Sequence, residues 1–326
     1  MNAKSIAILM PVYNAAPWLE ACLDSIINQT HTNFEVIAVD DFSTDNSLEV
    51  LKKYSQQDNR IQFYQNSDKG IIPALQLAYS KSTADLITRM DADDIMPPQK
   101  LEWLYDAWIQ NPKNIITGKV NYFSDKTISE GYQAYEYWLN ERVTNQDFNA
   151  WMYRECVLAS ANWLAHRDQL NTVGGFDELI YPEDYHLVLK WFEKGIQITG
   201  IDFVSHLWRE HPERTSRNSD NYAQPAFFEL KINHWIEHRY DSVSQLIVLG
   251  EGQKANLCKQ ILTNNNIPFL QAGLQARKNI IDVNDILKYK HKQVLVTVFP
   301  PEKERQKLEQ FLTKNKLEKG KNWWYV

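Results

Sequence analysis

Cysteine is scarce in this chain, and its three residues lie far apart. Cys22, Cys156 and Cys258 form no CxxC pair. Closely spaced cysteines are the usual sequence signal of a disulfide framework or a zinc site. The sequence therefore predicts neither of them.

Basic residues are outnumbered by acidic ones, and long apolar runs are missing. The formal net charge is −6, and nonspecific nucleic-acid binding depends on a basic surface, so we expect no nucleic-acid partner. No run approaches the roughly 18 apolar residues of a transmembrane helix. The first apolar run breaks at Pro11, too early for the apolar region of a signal peptide. We therefore expect a cytoplasmic protein.

The first half of the chain alternates strand-like and helix-like segments. Continuous apolar runs such as residues 5–14 are typical of strands buried on both faces. Residues 17–29 carry apolar side chains at helical spacing. This alternation predicts an α/β fold, with a mostly parallel sheet covered by helices on both faces. Ligands of such sheets bind at the carboxyl ends of the strands, where the pairs Asp40–Asp41 and Asp91–Asp93 both lie.

The rest of the chain divides into two regions. Residues from about 115 to 243 are less regular and rich in aromatic side chains, and the α/β pattern restarts near residue 244. We see no internal repeat and no low-complexity linker. The pattern predicts one large domain over residues 1–243 and a small α/β domain over residues 244–326.

The most unusual short stretch is "RMDADDIMPP", residues 89–98, which crowds three carboxylates behind an apolar strand. Such oxygens are suitable ligands for Mg²⁺ or Mn²⁺, which are usually held by one or two carboxylates and substrate phosphates. A cation would relieve the repulsion between the acids and neutralise a departing diphosphate. Taken alone, the cluster is equally compatible with a solvated acidic turn that precedes a helix.

Three blocks together resemble a known family. The stretch from Ile8 to Val50, "RMDADD", and "GGFDELIYPEDYHLVLKWFEKG" resemble the amino-terminal, metal and acceptor motifs of family 2 glycosyltransferases of GT-A fold. The blocks occur in the family's order and cover most of residues 5–216. The resemblance implies a Rossmann-like GT-A catalytic domain over residues 1–243.

At the first block, the resemblance implies a nucleotide site. Pro11, Val12 and Tyr13 would lie against the base, although Tyr13 is also compatible with ordinary packing at a strand end. Asp41 would accept a hydrogen bond from uracil N3–H, which suits an ionised carboxylate because it only accepts. The family often has glycine at the position of Phe42, so the side chain there alters the loop or lines the pocket.

At the second block, the resemblance places Asp91 near the ribose and Asp93 on the metal. Arg89 would reach a phosphate or pair with the acids, and the sequence leaves both roles open. The later stretch "LWREHPERTSRN" resembles the family's flexible segment, with His211 as a third metal ligand or an ordinary packing residue. The basic side chains that would fold over the diphosphate are Arg209, Arg214 and Arg217.

At the third block, the resemblance makes Asp184 the catalytic base. It lies at the beginning of a helix, where the helix dipole favours an ionised carboxylate. Glu183 would position the acceptor or cap the helix. For an isolated "PED", capping is the simpler interpretation of both acids.

The last domain carries "GEGQKA" after a strand, with Gly250, Gly252 and Ala255 at the spacing of a dinucleotide-binding turn. The acid expected about 20 positions later is absent, and Gln271 stands at the end of the next strand. We therefore favour a structural or docking role for residues 244–326.

These observations predict an inverting, metal-dependent transferase that moves a sugar from a nucleotide donor, a UDP-sugar by resemblance, to a hydroxyl of a glycan or lipid-linked saccharide. The resemblance implies a setting in lipopolysaccharide or capsule assembly, with peripheral contact at the inner face of the cell membrane. The polymerase-type QxxRW motif is absent, which favours single addition. The alternatives are a nucleotidyltransferase, a hydrolase that uses paired carboxylates, and a nucleotide-sugar-binding module without catalysis. Four tryptophans of the irregular region, which either stack on sugars or pack in the core, are Trp138, Trp151, Trp163 and Trp191.

Overall fold

The structure is a computed structural model that describes residues 4–273 and 277–326. The chain forms two compact units. The first contains the residues up to Asp147 together with Val157–Arg214, and the second contains Phe148–Cys156 and Thr215–Val326.

The first unit is built on a seven-stranded sheet with the order β3-β2-β1-β4-β6-β5-β7. Its strands are β1 (Ile6–Val12), β2 (Phe34–Asp40), β3 (Ile61–Gln65), β4 (Leu86–Arg89), β5 (Ile115–Phe123), β6 (Trp163–His166) and β7 (Ile198–Arg209). The strands β1 to β4 pair in parallel, whereas β6 is antiparallel to both of its neighbours. Six of the seven residues of β1 are buried, which explains why this central strand has a continuous apolar sequence.

Helices connect these strands. In chain order, the α-helices of the described residues are α1 (Ala16–Ile27), α2 (Ser47–Gln57), α3 (Ile71–Lys81), α4 (Lys100–Gln110), α5 (Glu130–Asn145), α6 (Phe148–Trp151), α7 (Arg167–Thr172), α8 (Glu183–Glu193), α9 (Thr215–Asn218), α10 (Gln224–His238), α11 (Gln253–Asn264) and α12 (Glu302–Lys314). Short 3₁₀ helices cover Asp220–Tyr222 and Val283–Lys288. The predicted order of strands and helices in the first half is confirmed, because β1 to β4 alternate with α1 to α3.

The second unit contains a separate five-stranded sheet in which every pair of neighbours is parallel. Its strands are β8 (Gln245–Leu249), β9 (Leu270–Gly273), β10 (Ile281–Asp282), β11 (Lys292–Val296) and β12 (Trp323–Tyr325). Their order is β10-β9-β8-β11-β12, the arrangement of a doubly wound fold. The second unit therefore has the predicted α/β character.

The glycine-rich turn after β8 is held by close packing. Gly250 has a φ of 134°, and an added Cβ would lie 2.4 Å from Oγ1 of Thr297, so only glycine fits. The amide of Gln271 donates to the carbonyl oxygen of Gly250 over 2.9 Å, and Lys259 donates to the amide oxygen of Gln271 over 2.9 Å. The residue found in place of an acid is thus engaged with the turn itself.

The second compact unit begins earlier than residue 244. It includes α10, whose Lys231 donates a hydrogen bond to the carbonyl oxygen of Arg154 over 2.9 Å. Residues 215–243 therefore belong to the same compact unit as the second sheet. The predicted domain boundary at residue 243 and the structural or docking role of residues 244–326 stay predictions.

Candidate active site

The first two sequence blocks meet at the carboxyl edge of the first sheet. β1 lies between β2 and β4, so the residues that follow these three strands become neighbours. Asp41 donates its backbone N–H to the carbonyl oxygen of Val12 over 2.7 Å. Pro11 and Val12 are the last residues of β1, and the ring of Tyr13 beyond them is 46% exposed. The Tyr13 ring is therefore open to a ligand, and the Nζ atom of Lys69 lies 5.2 Å from its centroid.

Asp41 is buried and strongly hydrogen bonded. Its Oδ1 accepts from the backbone N–H of Gly70 over 2.9 Å and from Nδ2 of Asn66 over 2.8 Å. The Oδ2 atom receives a second, 3.0 Å contact from the same Gly70 N–H. Both partners follow β3, and we did not predict them from the sequence. The carboxylate is thus held in one orientation, with Oδ2 as the less occupied oxygen.

Asp40, the last residue of β2, is a second buried carboxylate at this edge. It is 3% exposed, and its Oδ1 makes no hydrogen bond among the described residues. Buried polar atoms are normally paired. Asp40 is therefore an additional candidate ligand-binding acid beside Asp41.

The unusual residue of this loop is Phe42, which has a φ of 60° and is 48% exposed. This left-handed conformation costs a residue with a Cβ roughly 1–2 kcal/mol. The strain provides a physical reason for glycine at this position in the family that the sequence resembles.

We predict that Phe42→Gly raises the free energy of unfolding by about 1 kcal/mol because the left-handed strain is removed. If the ring lines the base pocket, the same variant should bind UDP more weakly. Denaturant unfolding and calorimetric titration with UDP measure the two effects separately. Unchanged UDP affinity would exclude a pocket role for the ring, and unchanged stability would exclude the strain.

The third block reaches the acids of the second block through Arg89. The Arg89 side chain donates from Nε to Oδ1 of Asp91 over 2.7 Å and from Nη1 to Oε1 of Glu183 over 2.8 Å. Arg89 and Glu183 are 5% and 6% exposed, so this ion pair is buried. Of the two roles considered for Arg89, the structure shows the ion pairs with acidic side chains. Ser160, which we did not predict, donates to Oδ2 of Asp91 over 2.9 Å.

Asp184 follows Glu183 in the first turn of α8. It does not act as the N-cap, since that position is held by Pro182. Its Oδ1 accepts from the backbone N–H of Tyr185 over 2.7 Å. Burial, followed by the charge of the adjacent Glu183, raises the pKa of Asp184 to about 7. A carboxyl with a pKa near neutrality is well suited to exchange protons with a substrate.

The third block also lies beside the turn that contains Gly70. A Cβ added at Gly70 would lie 3.2 Å from the hydroxyl oxygen of Tyr181. Gly70 is the residue whose N–H binds Asp41. The loop that precedes Asp184 therefore contacts the turn that orients Asp41.

Asp93 and His211 come together from distant parts of the sequence. The His211 Nε2 atom lies 2.8 Å from Oδ2 of Asp93, and its ring packs on Trp18 with the centroids 3.9 Å apart. The other ring nitrogen of His211 is buried and makes no hydrogen bond among the described residues. A carboxylate oxygen and an imidazole nitrogen that converge in this way form a donor set suitable for Mn²⁺. Since both oxygens of Asp91 already accept hydrogen bonds, Asp93 is the acid that fits a metal.

Arg209 and Arg214 are both engaged with protein groups. Nε of Arg209 donates to the carbonyl oxygen of Asp93 over 2.7 Å. Nη1 of Arg214 donates to Oε2 of Glu210 over 3.0 Å, and the guanidinium lies 5.1 Å from the Trp208 ring centroid. Arg217 belongs to the second unit. Phosphate contacts by these side chains stay predictions.

The four tryptophans considered as sugar platforms are all buried. Their exposed fractions range from 0% for Trp191 to 6% for Trp151, and Trp163 packs edge-on against Trp191 with ring centroids 5.4 Å apart. They therefore pack in the interior in this structure.

The comparison with protein families decides which family the chain represents. The model of glycosyl transferase family 2 matches residues 7–174, more than half of the chain. The chain belongs to glycosyl transferase family 2. The matched range includes the nucleotide and metal blocks, so the resemblance inferred from the sequence is confirmed.

Curated family 2 relatives agree over parts of their length. Glycosyltransferase GlyG of Streptococcus pneumoniae serotype 4 is 33% identical over 147 residues, which are 45% of this chain and 46% of GlyG. An uncharacterized glycosyltransferase of Bacillus subtilis, EpsJ, is 25% identical over 84% of this chain and 79% of its own length. The chain spans less than half the length of GlyG and of three further curated relatives.

Solved structures share the fold of this family 2 chain. S. aureus TarS 1–349 in complex with UDP-GlcNAc has a TM-score of 0.56 at 16% identity, covering 79% of this chain and 71% of that one. Mannosyltransferase PcManGT from Pyrobaculum calidifontis, in complex with GDP-Man and Mn²⁺, has a TM-score of 0.51 at 20% identity, covering 80% and 68%. The predicted GT-A fold is thereby confirmed. Among the residues that the structure describes, none of the helices has the length and apolar character needed to cross a bilayer.

Proposed function

We propose that this family 2 chain is an inverting, metal-dependent glycosyltransferase that transfers a sugar from a UDP-sugar to a hydroxyl group of a saccharide acceptor. The observation that carries the proposal is the Arg89 bridge, which joins Asp91 of the donor side to Glu183 of the acceptor side. The adjacent Asp184 then lies next to the point where donor and acceptor would meet.

In the proposed reaction, Asp184 accepts the proton of the acceptor hydroxyl. The acceptor oxygen forms a bond to the anomeric carbon of the donor, while the bond between that carbon and the diphosphate oxygen breaks. Attack from the face opposite to the leaving group inverts the anomeric configuration, and UDP departs with the electron pair of the broken bond. A pKa of about 7 allows Asp184 to be ionised before the attack and protonated after it.

Asp93 and His211 would hold the divalent cation, either Mn²⁺ or Mg²⁺. A bound cation supplies neutralisation of the charge that develops on the leaving diphosphate. PcManGT is a solved structural relative that contains Mn²⁺, which supports the choice of this ion for the experiments below.

We propose uridine as the base because of the orientation of Asp41. Oδ1 accepts from two donors, whereas Oδ2 receives only a second contact from the Gly70 N–H, and its remaining lone pair can accept from uracil N3–H. The structural relative TarS has been solved with UDP and with UDP-GlcNAc, so these are suitable probes, whereas CDP, whose cytosine has no N3–H to donate, is a suitable negative probe.

We predict that UDP with Mn²⁺ stabilises the protein against heat and that CDP with Mn²⁺ does not, because cytosine has no N3–H for Asp41 to accept. A ligand at about 100 times its Kd adds about 2.7 kcal/mol to the free energy of unfolding. Asp41→Asn should weaken UDP binding by about 1.5–3 kcal/mol, the size of a hydrogen bond to a charged group. Thermal shift and calorimetric titration measure both effects.

The control for this prediction is Asp68→Asn, which removes an exposed carboxylate from the same turn. It should leave UDP affinity unchanged. Equal stabilisation by UDP and CDP, or full UDP affinity in the Asp41→Asn variant, would contradict the uridine assignment.

The acceptor class separates the proposal from its alternatives. We propose a glycan or lipid-linked saccharide of a cell-surface polymer such as lipopolysaccharide or capsule, with peripheral contact at the membrane where the acceptor is lipid-linked. One relative, a chondroitin synthase of Escherichia coli, is 27% identical over 58% of this chain, which supports a polysaccharide setting. UDP release that requires an added acceptor indicates transfer, whereas equal release without acceptor would indicate a hydrolase.

A further inference from the structure

Three buried polar side chains close to the proposed metal ligands Asp93 and His211 are connected by hydrogen bonds. Nζ of Lys100 lies 3.2 Å from Nδ1 of His206, and Nε2 of His206 lies 2.9 Å from Oδ2 of Asp94. Their exposed fractions are 0%, 0% and 1%. Lys100 also donates to the carbonyl oxygen of Ala161 over 2.6 Å. Burying three ionisable groups is costly unless each finds its partners.

The hydrogen bonds of these three side chains have one consistent direction when Lys100 is protonated. In its ammonium form Lys100 can only donate, and Nδ1 of His206 then accepts. The hydrogen of a neutral His206 then lies on Nε2 and is donated to Asp94. The other oxygen of Asp94 accepts from the backbone N–H of Arg209 over 2.7 Å. Every oxygen of Asp94 therefore faces a donor.

The three hydrogen-bonded side chains join the two segments that carry the proposed metal ligands, Asp93 and His211. Asp94 follows Asp93 directly, and Arg209 precedes His211 by two residues. Nε of Arg209 also binds the carbonyl oxygen of Asp93, and Ile95 and Leu207 exchange backbone hydrogen bonds of 3.1 and 3.0 Å. The separation between Asp93 and His211 thus depends on how residues 93–95 are held along residues 206–209.

We propose that Lys100, His206 and Asp94 are positioning residues that hold Asp93 and His211 in the arrangement that binds the divalent cation. The inference rests on the proposed function, because it takes Asp93 and His211 as the metal ligands. In this proposal the three side chains act through the segments on which the metal ligands lie, and not as ligands themselves.

The test compares substitutions that leave the size of the side chain nearly unchanged. Asp94→Asn cannot satisfy both neighbours, because its NH₂ group must face a donor at either His206 or Arg209. Lys100→Met removes the donor to Nδ1. Each variant should bind Mn²⁺ about 10–100-fold more weakly, the usual loss when a group that orients a metal ligand is changed. Electron paramagnetic resonance of free Mn²⁺, with folding checked by circular dichroism, gives the affinity without relying on activity.

The double variant, Lys100→Met with Asp94→Asn, distinguishes the proposed hydrogen-bond arrangement from a general structural role. With Met in place of Lys100, His206 is free to carry its hydrogen on Nδ1 and to accept from the amide that Asp94→Asn introduces. The double variant should therefore bind Mn²⁺ more tightly than Asp94→Asn alone. Independent structural effects would instead add.

The matched control is Lys231→Met, since Lys231 is another buried lysine, 1% exposed, in the second unit. Its Mn²⁺ affinity should equal that of the wild type even if its stability falls. If the Lys100 or Asp94 variants do not fold, His206→Gln provides the same measurement. Wild-type Mn²⁺ affinity in the folded variants of Lys100, Asp94 or His206 would overturn the inference. Additive losses of Mn²⁺ affinity in the double variant would overturn it as well. Asp93→Asn is measured in parallel: if it also binds Mn²⁺ normally, the metal assignment itself fails, and not only the positioning role.

Discussion

Asp184→Asn is expected to reduce the rate of sugar transfer by about 10²–10⁴-fold, the usual contribution of a positioned acid or base. The substitution preserves the size of the side chain but removes its ability to accept a proton. UDP and Mn²⁺ should bind almost normally, because the proposed role of Asp184 arises only when the acceptor attacks. Steady-state transfer and UDP affinity are measured on the same purified variant.

The pKa of Asp184 adds a second readout. Because its pKa is raised from 3.8 to about 7, the wild-type rate should fall as the pH drops below about 7. A carboxyl whose pKa is higher in the folded than in the unfolded protein contributes its full stabilisation at pH values below its unfolded-state pKa. This stabilisation is lost as the pH rises through its folded-state pKa. The variant has no proton to lose at this position. Its melting temperature relative to the wild type should therefore increase between about pH 4 and pH 7.

A purely structural role for Asp184, as a hydrogen-bond acceptor in the first turn of α8, gives the opposite result. The amide oxygen of asparagine can accept from the N–H of Tyr185 as the carboxylate does, so rate and stability would barely change. Asp168→Asn is the matched control, because Asp168 is an exposed carboxylate in the first turn of α7. A rate within about threefold of wild type in the Asp184 variant, far from the loss expected for a base, would end the catalytic assignment.

Asp93→Asn is expected to abolish transfer and to weaken Mn²⁺ binding by more than the roughly 10–100-fold that follows loss of an outer-shell partner. The physical reason is the loss of the ionised oxygen that lies 2.8 Å from Nε2 of His211. The fold should remain intact, because the substitution relieves repulsion from the neighbouring Asp91 and Asp94. Calorimetric titration of UDP with and without Mn²⁺, together with circular dichroism, measures these effects.

Asp106→Asn is the control for this substitution, since it removes one exposed negative charge from α4. It should bind Mn²⁺ and UDP as the wild type does. Transfer at the wild-type rate by the Asp93 variant in the presence of a chelator would show that the metal assignment is wrong.

The local sequence was sufficient to predict the first half of the fold. Continuous apolar runs and helical spacing correctly indicated the alternation of strands and helices that the structure has as β1 to β4 and α1 to α3, because these elements bury their apolar residues. The strands β5, β6 and β7 were not predicted individually. β6 is only four residues long and antiparallel, and β7 is partly exposed along its length, so neither has the pattern of a buried parallel strand.

The sequence by itself determined the family and the position of the acids. Asp41 and Asp91 follow parallel strands, and the carboxyl ends of neighbouring parallel strands necessarily lie at one edge of the sheet. The three blocks also occur in an order that is sufficient, together with their residues, to indicate the family.

Only the tertiary structure decided which side chains of the candidate active site contact one another. Arg89 meets Glu183, Asp93 meets His211, and Asp94 meets His206, each across about 90 to 120 positions in the chain. No local pattern encodes such separations, because they depend on how the last strands of the sheet return residues 157–214 to the acidic edge. The single orientation of Asp41 has the same origin, because the Asn66 and Gly70 groups that hydrogen bond to it lie 25 and 29 positions away. The raised pKa of Asp184 results chiefly from burial, which the tertiary structure also decides.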